Sequence, residues 1–136
     1  MDAYNLKNDV KVFGVEVRNF PNGIGEAFEK LMKMLPVRDK RSYYGIFEMD
    51  RNGRMHYYAT AEETRNDEAD TYKCNRYTIE RGEYLAEPLN DWQKKTDCIK
   101  DVFEKMSHDS RVDPAKPGVE WYKNDKEMWC MLKALQ

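Results

Sequence analysis

The chain has no apolar run long enough to cross a membrane, only two histidines, and only three cysteines among its 136 residues. A spanning helix needs about 20 apolar residues in succession, so no membrane contact is expected. Nor does Met1-Asp2-Ala3-Tyr4-Asn5 show the basic-then-apolar order of a signal peptide. Cys74, Cys98 and Cys130 are odd in number and far apart, which fits neither a disulfide framework nor a zinc knuckle. With His56 and His108 as the only imidazoles, no metal and no cofactor are expected. The cysteines read as free thiols, and the chain as a protein of the reducing cytoplasm. Charge of one sign is lacking too: 23 basic residues stand against 25 acidic ones, for a net charge of −2. That removes the electrostatic case for direct nucleic-acid binding.

What is present suits one domain over residues 1–136, large enough for a single core. Residues 1–9 are polar and read as a loose lead-in. Val10 to Arg18 is rich in β-branched residues and reads as a strand covered on much of both faces. Asn19-Phe20-Pro21-Asn22-Gly23 breaks it. Ile24, Ala27, Phe28, Leu31, Met32 and Leu35 then recur at helical spacing, with Asn22 as the expected N-cap and Pro36 as the stop. Tyr43–Met49 and Met55–Ala61 flank Asp50-Arg51-Asn52-Gly53, and Asn-Gly between two such runs signals a hairpin. The acidic stretch from Glu62 to Asp70 has no apolar pattern and reads as a solvated loop.

Tyr72 to Ile79 and Tyr84 to Ala86 read as extended. A second helix, capped by Asn90 or Asp91, carries Trp92, Ile99, Val102, Phe103 and Met106 on one side. After a loop with Pro114 and Pro117 come the strand Gly118–Tyr122 and a final strand from Met128 to Leu135. Strand, helix, strand, strand therefore occurs twice, over roughly 10–63 and 72–135. Residues repeat as well: Phe28-Glu29-Lys30-Leu31 answers Phe103-Glu104-Lys105-Met106, and Gly45-Ile46 answers Gly118-Val119. The fold class expected is α+β, with duplicated βαββ units forming one antiparallel sheet and two helices on one face. A ligand groove would lie on the other face or between the units.

In Gly118-Val119-Glu120-Trp121-Tyr122, alternation puts Glu120 and Tyr122 on one face and Val119 and Trp121 on the other. One face wants the core, and the other presents an acid beside a phenol. An exposed strand glutamate is the commoner fate of Glu, and the pentapeptide by itself leaves that reading open.

The chain resembles the GyrI-like small-molecule-binding domains, which also serve as effector-binding modules of AraC- and MerR-type multidrug regulators. The resemblance spans roughly residues 10 to 135. It is carried by Tyr44-Gly45-Ile46, by Tyr57-Tyr58-Ala59, by Tyr77-Thr78-Ile79-Glu80-Arg81-Gly82-Glu83-Tyr84, and by Glu120-Trp121-Tyr122 after the proline-containing loop. Glu80 and Arg81 stand where the family commonly has Pro and Ala. The resemblance implies a groove for flat, often cationic molecules, with Glu120 in it. A carboxylate among rings is penalised for its charge, and a cation that stacks on those rings restores the balance. Tyr122, Tyr84, Tyr58, Phe47 and Trp92 are the aromatic residues assigned to that groove.

Residues 1–9 are too short for a helix-turn-helix, so the expected role is a stand-alone small-molecule binder in sensing or sequestration. Two alternatives stay open. As some GyrI-like proteins hydrolyse electrophilic toxins, Glu120 would serve as general base and Tyr122 or Tyr84 as the hydroxyl. As others inhibit gyrase, the chain would act on a protein partner. A homodimer also stays open.

Overall fold

Val10–Glu16 is β-branched on both sides because it lies between two neighbours in the sheet and is covered on both faces, with Val12 and Phe13 fully buried. The computed structural model describes residues 1–20, 22–36 and 40–135; Pro21, in the expected break, lies outside them. The strands are β1 (Asp2–Leu6), β2 (Val10–Glu16), β3 (Tyr43–Met49), β4 (Met55–Glu62), β5 (Asn75–Ile79), β6 (Gly82–Asn90), β7 (Gly118–Tyr122) and β8 (Glu127–Lys133). The helices are α1 (Ile24–Met34), the short α2 (Glu68–Thr71) and α3 (Thr96–Ser107). No helix among the described residues is long and apolar enough to cross a membrane.

All eight strands form one curled antiparallel sheet in the order β1-β6-β8-β7-β3-β4-β2-β5. Its halves have matching internal order. Unit one (β2-α1-β3-β4) pairs as β3-β4-β2, and unit two (β6-α3-β7-β8) as β7-β8-β6. The units meet along β3 and β7, with Ile46 opposite Val119 at the centre of the junction. Strands β5 and β1 extend the two outer edges.

Both helices cover one face, α1 over β4 and α3 over β8. Beneath them lie Phe13, Leu31, Leu35 and Ala61 on one side, and Leu85, Phe103, Met106, Met128 and Leu132 on the other. The sheet curls round the opposite, inner face. There Val12, Tyr44, Ile46, Ile79, Tyr84, Val119 and Met131 form a second core, joined by Tyr4 and Leu6 from β1.

Four local expectations are corrected. Residues 1–9 are not all a loose lead-in, because Asp2–Leu6 pairs with β6 and directs Tyr4 and Leu6 into the inner core. The 62–70 stretch is not simply solvated. Glu68 is 1% exposed, bound to the Arg41 guanidinium at 2.8 Å and to the Thr64 and Arg65 amides. Arg65 lies 3.5 Å from the same carboxylate, but the closer counter-charge, Arg41, is 27 residues away and out of reach of a local pattern. Helix α1 begins after Gly23, whose φ of 87° is left-handed, rather than from an Asn22 cap, and Met32 faces solvent. Asp91 opens a 3-10 turn over Trp92–Lys94, and α3 starts only at Thr96.

Candidate functional site

Strand β7 is the middle of the molecule, hydrogen-bonded on both sides, so a side chain on its helix-facing side has no sideways route to solvent. Glu120 is on that side and is 6% exposed. Across the junction it faces Gly45, and its carboxylate lies over the space that a side chain at 45 would fill. The pseudo-symmetric relationship holds for Phe47, which faces Gly118 and lays its ring where a side chain at 118 would go.

Two phenols hold the carboxylate. Tyr122 donates to Glu120 Oε1 at 2.7 Å, and the buried Tyr57 hydroxyl donates to the same oxygen. Rings surround the group: Phe20 stacks on Tyr57 at 5.3 Å, while Phe28 from α1 and Trp92 meet the Tyr122 ring edge-on at 5.3 and 4.9 Å. Phe47 packs on Phe103 of α3 at 4.7 Å. Burial raises the Glu120 pKa above the usual carboxylate range, against the opposing pull of the two hydroxyls. Burial and then the Glu120 charge drive both phenols upward, so they remain protonated donors. Cys130, opposite Glu120 on β8, is pushed up to about 12 by burial and by the same charge.

Helix α1 lies on β4 and α3 on β8, with β3 and β7 between them in the sheet. The seam between the two helices therefore runs over β7 as a slot, which Phe28 and Trp92 fill against Tyr122. A cleft of about 680 Å³ between residues 4–11 and 62–66 includes none of the groups around Glu120. Among the described residues no cluster of His, Cys, Asp and Glu could hold a metal ion.

Of the residues singled out in the sequence, Tyr122, Phe47 and Trp92 share the helix-covered face with Glu120. Tyr58 and Tyr84 do not. Both point to the inner face, where Tyr58 packs on Tyr77 at 4.5 Å and Tyr84 donates to the Glu80 carbonyl at 2.5 Å. In place of Tyr58, the neighbouring Tyr57 reaches the carboxylate.

The hairpin register explains the exchange. A two-residue Asn52-Gly53 turn would set Phe47 opposite Tyr58. The observed loop has three residues, Arg51–Gly53, with Gly53 at φ 79° and the Asp50 side chain capping the Asn52 and Arg54 amides. It sets Met49 opposite Met55 and Phe47 opposite Tyr57. A shift of one residue turns each side chain to the other face. Asp50, two residues before Asn52, was the signal that could have shown it. Phe28 and Phe20 were also missed as neighbours of the acid; Phe28 read as ordinary core stripe.

No protein-family model matches the sequence, and no curated protein is significantly similar to it. Solved structures do share the fold. An integron cassette protein from the mobile metagenome of Vibrio cholerae superposes with a TM-score of 0.71 at 14% identity, covering 98% of this chain and 95% of its own. SAV2435 bound to tetraphenylphosphonium gives a TM-score of 0.64 at 14% identity, covering 97% and 93%. A hydrolase from Listeria innocua gives 0.53 at 12% identity, covering 98% and 91%. At such identities the likeness is one of fold. It agrees with the architecture that the GyrI-like resemblance implies.

Proposed function

We propose that the chain binds a flat, amphipathic, cationic small molecule in the slot between α1 and α3, with Glu120 as its counter-charge. The observation that carries this is the buried carboxylate, held by two phenols and ringed by aromatic side chains, with no basic side chain among the described residues paired to it. Ionised and alone it is unfavourable there; a cation that replaces the Phe28 or Trp92 ring supplies both charge and stacking surface. Support for a lipophilic aromatic cation comes also from the structural neighbour SAV2435, seen with tetraphenylphosphonium, whose rings stand tetrahedrally about phosphorus; the flatness rests on the GyrI-like resemblance. The role that follows is sensing or sequestration, as in the GyrI-like effector-binding domains that the sequence resembles.

The test is a thermal-shift titration of wild type and Glu120→Gln with 10-methylacridinium and with neutral acridine in mildly alkaline buffer. A ligand that binds only the folded state raises Tm by mass action. The cation should stabilise wild type and lose about tenfold or more in affinity in the variant, while acridine binds both proteins alike. Equal losses for both ligands would remove the charge-pairing argument.

A second reading rests on the pair Glu120 and Tyr122. A carboxylate with a raised pKa, 2.7 Å from a hydroxyl, can take a proton from water while the phenol protonates a leaving atom. In that case Glu120→Gln abolishes turnover of an electrophilic substrate and leaves its binding intact.

A further inference from the structure

We infer that the inner face of the sheet carries a second cation site, an aromatic cage of Tyr4, Trp121 and Trp129 that takes an alkylammonium group and is occupied from within the chain by Lys123. Residues 120 and 121 are neighbours on one strand and so point to opposite faces. The cage and the Glu120 slot are therefore separate sites back to back across β7.

Register assembles the cage. Trp121 on β7 lies directly opposite Trp129 on β8, and β1 brings Tyr4 to the same face. The two indoles meet edge-on at 5.5 Å, and the Tyr4 ring lies 5.2 Å from Trp129 and 6.0 Å from Trp121. Into this cluster reaches the Lys123 ammonium, 3.3 Å from the Trp129 centroid and 4.4 Å from that of Trp121. Both distances are well within the roughly 6 Å over which a ring face attracts a cation. Among the described residues the ring faces are the partners that Lys123 Nζ has; no carboxylate pairs with it. Glu127 accepts from Trp129 Nε1 at 3.0 Å, which sets a negative charge beside the cage and favours a cationic occupant. Trp121 Nε1 is buried with no hydrogen-bond partner among the described residues, a donor open to an acceptor on the occupant.

All four side chains are only partly buried, so the cage is reachable. Lys123 stands at the start of the β7–β8 turn, where its side chain can swing out by rotating its own torsions while the strands stay paired. An external ammonium thus competes with a tethered one. The ligand class is a small alkylammonium with an oxygen near its charge, of which choline is the simplest probe.

Choline is titrated into wild type and Lys123→Ala, reading tryptophan fluorescence and Tm. Lys123→Ala should bind choline about tenfold more tightly than wild type, since the internal competitor is gone. Dimethylbutanol, the neutral carbon isostere of choline, should not bind. Adding Trp129→Leu to Lys123→Ala should abolish the response, and adding Glu120→Gln should leave it unchanged. In wild-type NMR spectra the Lys123 ε-methylene protons should resonate far upfield from ring currents and move back as choline is added. The inference is overturned if Lys123→Ala gives no saturable response, if the neutral isostere binds equally, or if the lysine protons show no upfield shift. Loss of binding on Glu120→Gln would overturn it as well, by placing the cation in the other slot.

Discussion

Gly45 faces Glu120 across the junction of the two units, and the side chain that Gly45 lacks is what leaves room for the carboxylate. Gly118 stands in the same relation to Phe47. One duplicated position thus holds an acid in one unit and a phenyl ring in the other, each over the opposite unit's glycine.

Gly45→Ala should therefore damage the site from its floor. The added methyl would meet the Tyr57 hydroxyl and the Glu120 carboxylate at once. Overpacking of this kind costs about 1–3 kcal/mol, which urea denaturation would register, and cation binding should be lost with it. Gly118→Ala should cost a similar amount but be relieved by Phe47→Leu, whereas Gly45→Ala should gain nothing from that change. Relief of both variants by Phe47→Leu would contradict the geometry.

Glu120→Gln should stabilise the empty protein at neutral pH. The Glu120 carboxyl has a folded pKa above its unfolded value of about 4.5, so its contribution is full below the unfolded pKa and is lost as pH rises through the folded one. Each unit of that gap is worth about 1.4 kcal/mol. The Tm advantage of the variant should be absent in acid and should grow toward neutrality. A difference that did not vary with pH would show that Glu120 is not carrying a raised pKa.

Glu68 should behave in the opposite sense. Burial works against its charge, but the Arg41 guanidinium and the hydrogen bonds from Thr64 and Arg65 outweigh it and hold the pKa at about 2. Its contribution is present above the ordinary carboxylate pKa and is lost as pH falls from about 4.5 toward about 2. Removing one partner of such a buried pair costs about 3–5 kcal/mol. Glu68→Gln should therefore be strongly destabilised at neutral pH and should lack this component of acid unfolding, as denaturation across pH would reveal.

The three thiols should separate by burial. Cys98 is exposed, Cys74 half-buried and Cys130 fully buried with its thiol held near 12. An aromatic disulfide reagent should label Cys98 first and Cys130 only on unfolding. Rapid labelling of Cys130 in the native protein would mean that the slot opens without a ligand.

The repeated strand-helix-strand-strand order was legible because it rests on local signals: apolar periodicity in α1 and α3, the Asn52-Gly53 turn, and the prolines before β7. So was the division of faces along β7, since alternation requires only the backbone of one strand. Strand β1 was not legible, because Asp2 and Asn5 stand three apart and leave Asp2–Leu6 without a clean alternation, so that it becomes a strand only where β6 offers an edge. Nor was the burial of Glu68, whose closest counter-charge, Arg41, is remote in sequence.

The sequence by itself determined that this is an α+β protein of two βαββ units with an acid and a phenol on one side of the Gly118–Tyr122 strand. Those features follow from spacing within single elements. Which tyrosine joins that acid was decided only by the tertiary structure. A one-residue difference in one hairpin turns Tyr57 toward Glu120 and Tyr58 away from it, and Tyr84 faces inward because β6 pairs with β8 in the observed register. The cage of Tyr4, Trp121 and Trp129 is tertiary for the same reason. Its three rings come from three strands, and pairing between strands, not the order of residues within one, decides what faces what.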